Sequence, residues 1–215
     1  RGEMAKKICH RRFGVGADGL VFLDHDKATD FRWDFYNSDG SLAEMCGNAA
    51  RCVGLHFWRM EEKRQLNFST LSGVIETALE STNKTPDEIS VKMSPIREFK
   101  WNQLAKIDSN SIHYDFVVAG VPHAVVMVPN FRDKTRLKTF AKTLKSLPVF
   151  GKASTNVTLV KALNKTSAQA MSFERGVENF TLSCGTGAVA AAYAMLKGEA
   201  NVKVNLEVPG GHLAV

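Results

Sequence analysis

The period of the apolar positions changes repeatedly along the 215-residue chain, and each change marks an element. Residues 3–12 carry the spacing of a short helix, ended by the glycine-rich turn Phe13-Gly14-Val15-Gly16-Ala17-Asp18-Gly19. The run Leu20-Val21-Phe22-Leu23 predicts a strand, residues 31–36 alternate as another, and Asn37-Ser38-Asp39-Gly40 is a turn. A helix follows over about 47–60, then a region of lower complexity with strands near 73–80 and 89–94 and a Ser/Thr/Asn/Lys stretch between them. Residues 95–112, with Pro95, Asn102, Asp108, Ser109 and Asn110, predict a boundary between two halves. Beyond it come a strand-like segment over 114–128, broken by Gly120-Val121-Pro122-His123, and a helix over 131–146 with basic residues on one side. Strands near 155–162 and 169–173 precede a helix over 185–197 that stops at Lys197-Gly198. The tail alternates Val202, Val204, Leu206 and Val208 before Pro209-Gly210-Gly211.

Two of the helical stretches break the amphipathic rule. Ala188 to Leu196 is apolar on every side, and Ala49 to Trp58 is nearly so, interrupted by Arg51 and His56. A helix apolar all round is a buried one. The segments leading into the two helices also align. Phe35 precedes Cys46 by the distance at which Phe173 precedes Cys184, and each Cys is followed by Gly, then by Asn48 or Thr186, then by small residues. The chain therefore reads as two similar halves, each a curved sheet around a central helix with a thiol at that helix's start.

Composition narrows the function classes. The 44% hydrophobic content is that of an ordinary globular chain, and no apolar run nears the roughly 18 residues of a membrane span. The net charge of +6 is scattered (Lys6, Lys7, Arg11, Arg12; Arg132, Lys134, Arg136, Lys138), which describes solvated faces and lacks the aromatic-studded stripe of a nucleic-acid binder. Four cysteines are too sparse for a disulfide scaffold, so a reducing, cytoplasmic setting with free thiols is expected. The glycine turn at 13–19 lacks the lysine and following helix of a phosphate loop. Arg1-Gly2-Glu3-Met4 and Gly211 to Val215 read as interior sequence, so further residues are expected at both ends.

The matched thiols carry the candidate chemistry. A helix N-terminus presents unpaired N–H groups and a positive dipole end, and a thiol there is expected to have a lowered pKa. One such Cys could be a small core hydrophobe. Two in matching contexts suggest an option in which a substrate carbon lies between them, one thiolate removing a proton and the other thiol returning one to the opposite face. Helix N-termini aimed at a carboxylate would stabilise the carbanion without a metal. Cys52 has no counterpart, since Ala190 stands in its place, and it reads as helix packing. A Cys46–Cys52 zinc knuckle is disfavoured by spacing and by the lack of a second ligand pair.

These residues resemble a known family. Gly16-Ala17-Asp18-Gly19, Phe35 through Ser41, Met45-Cys46-Gly47-Asn48, Arg51-Cys52, Gly120 with Pro122-His123, Asn156-Val157, Phe173-Glu174-Arg175-Gly176, Cys184 through Ala188 and Pro209-Gly210-Gly211 together are similar to the diaminopimelate epimerases. The resemblance implies an α+β fold of two related barrel-like domains, here 1–103 and 104–215, with the site in the cleft between them. It implies cofactor-independent and metal-independent two-base epimerisation of LL- to meso-diaminopimelate, in lysine and cell-wall precursor biosynthesis, with no nucleic-acid or membrane partner and a homodimer as one open assembly. Cys46 and Cys184 would be the acid/base pair, with His123 and Glu174 as catalytic auxiliaries. Asn37, Asn48, Asn156 and Arg175 would contact substrate, and the backbone of Gly47-Asn48 and Gly185-Thr186 would hold its carboxylates. The chain departs from the pattern at Val121, where many members have Asn, at Gly19, where many have Gln, and in the family's first strand with its Gly-Asn-Asp-Phe segment, which it does not show. Without the resemblance His123 reads equally as a satisfied loop histidine, Glu174-Arg175 as an ion pair, and Asn37 as a turn residue. The rivals are a proline or hydroxyproline racemase of the same fold, and a non-catalytic thiol redox or binding protein on this scaffold.

Overall fold

A computed structural model describes residues 1–80, 88–199 and 201–215; most of the expected Ser/Thr/Asn/Lys stretch lies outside them. The chain forms two compact units, Arg1–Lys92 and Met93–Val215. Among the described residues no helix is long and apolar enough to cross a membrane.

In the first unit α1 (Gly2–Cys9) precedes β1 (Gly19–Asp24) and β2 (Phe31–Asn37). A two-residue strand, β3 (Leu42–Ala43), folds back on β2 and delivers the chain to α2 (Gly47–Glu61). β4 (Gln65–Thr70) then returns parallel to β2, followed by β5 (Gly73–Leu79) and β6 (Ile89–Val91) in the order β1-β2-β4-β5-β6. Leu66 and Phe68 of β4 are buried while Gln65 and Asn67 are exposed, the alternation of a strand with one wet face. They join Phe31, Trp33, Phe35, Ala50 and Val53 in the unit's core.

The second unit opens with β7 (Ile96–Ile107) and β8 (Asn110–Ala119), then β9 (Val121–Met127) and α3 (Lys134–Lys145). β10 (Asn156–Asn164), β11 (Ser167–Glu174) and the short β12 (Asn179–Phe180) lead to α4 (Gly185–Met195), β13 (Asn205–Val208) and β14 (Gly211–Ala214). The sheet runs β14-β13-β11-β10-β9-β8-β7, so it is open at β7 and β14. Residues expected to form an interdomain boundary are instead β7, which is why the division falls at Lys92/Met93, ahead of 103/104. β7 is polar because it is an edge strand, where charged side chains such as Arg97, Glu98, Lys100 and Lys106 discourage pairing with another chain. Asp108-Ser109 is the tight hairpin turn, with Asp108 at φ +52°, and Asn102 at φ +49° lies where the β7–β8 register slips.

The two faces of this sheet are sorted by residue parity. Val125, Val160, Ala168 and Ala170 pack with the alanines of α4, whereas Ala124, Val126, Val157, Leu159 and Phe173 pack with Ala141 and Leu144 of α3. α4 buries Ala188, Ala190, Ala191, Ala192 and Ala194, as its all-round apolar sequence predicts. α2 does not match that expectation: only Ala50, Val53 and Gly54 are buried, and Cys52 and His56 are exposed. Its residues pack on β5 and β6 along one stripe, so a nearly continuous apolar sequence here makes a one-sided helix.

Candidate active site

In the second unit the site grows from three neighbouring strands and the start of α4. His123, Thr158 and Ser172 lie on the strand face that α4 covers, because each has the parity of the alanine- and valine-lined positions above it. They sit beside the start of α4, and the apolar positions sit under its body. The side chains are bonded in series. His123 Nδ1 lies 2.9 Å from Thr158 Oγ1, and Thr158 Oγ1 lies 3.0 Å from Ser172 Oγ. His123 Nε2 lies 3.0 Å from Thr186 Oγ1, which is 3.4 Å from Cys184 Sγ.

Cys184 is the N-cap residue of α4, and its sulfur accepts from the Gly187 N–H at 3.4 Å. The strand β12 places it: Phe180 pairs with Phe173, so Thr181 and Cys184 follow directly beside the end of β11. There Glu174 accepts from the Thr181 hydroxyl, and its charge acts on the Cys184 thiol. Burial, reinforced by the Glu174 charge, pushes the Cys184 thiol up to about 11, outweighing the Thr186 and Gly187 donors. Burial, with the Arg175 charge second, holds His123 down at about 3, so the imidazole is neutral at physiological pH. Asn156, which pairs with His123 across β10 and β9, accepts from the Arg175 N–H at 3.0 Å. The Arg175 guanidinium donates to the carbonyls of Ala153 and Ser154 at 2.8 and 3.5 Å.

In the first unit Cys46 is likewise the N-cap of α2, at φ −140°, ψ 113° against −128°, 110° for Cys184. The first N–H groups of both helices, including those of Gly47-Asn48 and Gly185-Thr186, have no partner within their helix. Asn37 ends β2, donating through Nδ2 to Ser41 Oγ at 3.0 Å and through its backbone to the Ser41 carbonyl at 2.9 Å. Asn48 accepts from Arg51 one turn on.

Comparison with known proteins decides the family. The model of the family described as diaminopimelate epimerase matches residues 1–98 and 116–215. A diaminopimelate epimerase of Carboxydothermus hydrogenoformans is 36% identical over 226 residues, covering 99% of this chain and 80% of its own length. One from Flavobacterium psychrophilum is 34% identical over 215 residues, covering 99% and 78%. The chain belongs to the diaminopimelate epimerase family. In fold, this family member is also similar to a hydroxyproline epimerase from Agrobacterium vitis (TM-score 0.73, 15% identity, 99% of this chain and 71% of that one). A Bacillus anthracis phenazine biosynthesis protein of the PhzF family is similar too (TM-score 0.69, 17% identity, 99% and 78%).

For this diaminopimelate epimerase family chain, the expected residues of the second unit form one connected cluster. His123, Asn156, Glu174, Arg175, Cys184, Gly185 and Thr186 come from β9, β10, the end of β11 with the turn after it, and the head of α4. Those of the first unit, Asn37, Cys46, Gly47 and Asn48, come from the end of β2 and the head of α2. Three readings change. The Cys184 thiol has a raised pKa, not the lowered one expected at a helix N-terminus, because the cost of burying its anion exceeds the dipole's benefit. Cys52 is exposed on α2, not packed. Glu174 and Arg175 have separate partners, Thr181 and backbone carbonyls, in place of an ordinary ion pair with each other. The residues that sequence reasoning missed are Thr158, Ser172 and Thr181. Single hydroxyls in strands carry no signal until strand register sets them beside His123 or Glu174.

Proposed function

We propose that this chain epimerises diaminopimelate, LL to meso, by proton exchange at one α-carbon between Cys46 and Cys184, without a cofactor. The observation that carries the reading is the matched pair of N-cap thiols in a chain of this family. A thiolate removes the α-proton, leaving a carbanion; the other thiol delivers its proton to the opposite face, and the two sulfurs exchange states. The reading requires one substrate carbon within reach of both. At the start of a turnover Cys184 holds its proton and takes the donor's part, since burial and Glu174 favour the thiol. The reverse reaction then begins with Cys184 as the thiolate.

The α-carboxylate gains charge as the carbanion forms. The backbone N–H groups of Gly47, Asn48, Gly185 and Thr186 are the donors assigned to it, fixed in place before the charge develops. Asn37, Asn48, Asn156 and Arg175 are assigned to the rest of the substrate. Glu174 and neutral His123 tune Cys184 from opposite sides, the carboxylate favouring the thiol and the imidazole acting through Thr186. The place in lysine and cell-wall precursor biosynthesis, and a cytoplasmic setting, follow from that substrate.

The test is α-proton exchange in D₂O followed by NMR, with LL- or meso-diaminopimelate and, separately, with proline. Exchange with diaminopimelate alone supports the assignment. Exchange with proline alone makes the chain a proline racemase, and exchange with neither makes it a binding or redox protein.

A further inference from the structure

We propose that the Pro209-Gly210 turn is a backbone strut for Cys184, and that Gly210 is a positioning residue acting through the loop that carries the thiol. Its meaning for catalysis rests on the two-thiol reading above; the tie itself does not.

Pro209-Gly210-Gly211 supplies none of the groups assigned to the substrate, yet it meets the segment that sets Cys184. Val208 pairs with Gly211, so Pro209 and Gly210 form the tight turn between β13 and β14. The Gly210 N–H donates to the Leu182 carbonyl at 2.7 Å. Leu182 lies in the loop 181–183, between β12 and the N-cap residue Cys184. This loop is held on two sides. The Thr181 N–H donates to the Ser172 carbonyl on β11 at 3.1 Å, and Leu182 accepts from the hairpin. Pro209 and Cys184 also line the same cavity of about 10 Å³, together with Thr181, Ser183 and Val208, so the turn reaches the surroundings of the thiol residue.

The glycine serves closeness, not backbone angle. Gly211 has φ +138°, whereas Gly210 is not among the positive-φ residues. A Cβ on Gly210 would lie 2.8 Å from the Leu182 carbonyl oxygen and 3.2 Å from its carbonyl carbon, closer than real Cβ contacts allow at the oxygen. The first unit supplies the contrast. There β4, parallel to β2 as β13 is to β11, turns into β5 through Leu71-Ser72, with Thr70 paired to Gly73. Gly73, at φ +101°, answers to Gly211, and Ser72 answers to Gly210. Ser72 carries a side chain, and its N–H donates to Thr70 Oγ1 at 3.0 Å, inside its own turn. The hairpin therefore does not demand a glycine at this position; the contact with Leu182 does.

Leu182 is two residues from Cys184, whose sulfur meets the Gly187 N–H and Thr186 Oγ1, both at 3.4 Å. Moving the Leu182 carbonyl to admit a methyl group draws the sulfur off these partners. Misplacing a reacting group by about 1 Å can cost about 10²-fold, so a shift of a few tenths is expected to cost about tenfold.

The test uses the full chain and begins without substrate, so its failure is distinct from a failure to act on diaminopimelate. By hydrogen exchange in wild type, the Gly210 amide is expected to exchange at least about 10²-fold more slowly than an unstructured amide. An unprotected Gly210 amide overturns the proposal. Iodoacetamide labelling at fixed pH, resolved to each cysteine by mass spectrometry, then reads the loop. Gly210→Ala is expected to speed labelling of Cys184 about tenfold, as the loop loosens around the buried thiol. Gly211→Ala strains the same hairpin through its φ, with nothing within 4 Å of the added Cβ, and is expected to leave the rate within about twofold. Unchanged labelling in Gly210→Ala, or equal acceleration in both variants, overturns the proposal. With diaminopimelate, Gly210→Ala is expected to lower kcat about tenfold and keep KM within about twofold. A wild-type kcat in that variant overturns the positioning role. The exchange measurement decides even where a variant does not fold.

Discussion

The two units solve the same local problem twice and finish it differently. In one, β1 and β2 are antiparallel, β3 folds back on β2 beside Phe35, Cys46 caps α2, and β4 returns parallel to β2. In the other, β10 and β11 are antiparallel, β12 folds back on β11 beside Phe173, Cys184 caps α4, and β13 returns parallel to β11. The difference lies in what surrounds each helix. α4 is an alanine helix pressed onto its sheet, and its head meets the buried polar ladder of His123, Thr158 and Ser172. α2 buries a single stripe, and its cap Cys46 is only half-buried. The glycines record this. Gly187 is the point of close approach in α4, where the aligned residue of α2 is Ala49. In α2 the close approach is at Gly54, whose added Cβ would lie 2.9 Å from Ile89 and 3.2 Å from Thr77, and the aligned residue of α4 is Ala192. A shared cap geometry thus supplies two thiols, and unequal burial gives them unequal surroundings.

The comparison breaks most sharply at the thiols. Cys46→Ala and Cys184→Ala are each expected to lower kcat for diaminopimelate by about 10³-fold or more, the scale of a lost acid or base, whereas Cys52→Ala, exposed on α2, is expected to leave it within about twofold. Steady-state kinetics on the three variants check this. At the next level, Gly187→Ala is expected to cost about 1–3 kcal/mol in urea unfolding and to lower kcat as Ser172 is displaced. Gly54→Ala, far from the cap along α2, is expected to cost about 1 kcal/mol with kcat unchanged. An equal loss of activity in both would remove the distinction between the units.

The pH dependence of stability is the gentler probe. His123 has a folded-state pKa of about 3 against an ordinary 6.5, so below pH 6.5 the unfolded chain binds a proton that the folded chain refuses. Stability should therefore fall with acidification toward pH 3, by at most about 1.4 kcal/mol per pH unit from this group. Cys184 works in the other direction. Its folded-state pKa of about 11 exceeds the ordinary 9.0, so the unfolded chain loses its proton first and stability falls as pH rises from 9.0 toward 11. Urea titrations of wild type and of Thr158→Val and Cys184→Ala variants across pH would show the alkaline slope reduced only in the last.

Much of this was legible in the sequence because it is local. The caps, the Gly-Asn and Gly-Thr starts, the alanine run of α4 and the turn at Asn37 to Ser41 are set by neighbours in the chain. β7 was not, because the charges that suit an edge strand look like those of a linker until Ile96–Ile107 is paired with β8. β4 shows itself in sequence only through the alternation of Leu66 and Phe68. The environment of Cys184 was out of reach for a different reason. A dipole can be inferred from a helix start, but burial depends on β9 and β10, distant in sequence, and the approach of Glu174 on the pairing of β12 with β11, and these decide the sign of the shift.

The central claim is that two matched thiols exchange protons at one carbon. The most direct test is deuterium incorporation at Cα of LL-diaminopimelate in D₂O, with wild type and with each single Cys→Ala variant. The account predicts inversion to meso product carrying solvent deuterium for wild type, and loss of that inversion when either Cys46 or Cys184 is removed. Sustained epimerisation by Cys184→Ala would contradict it.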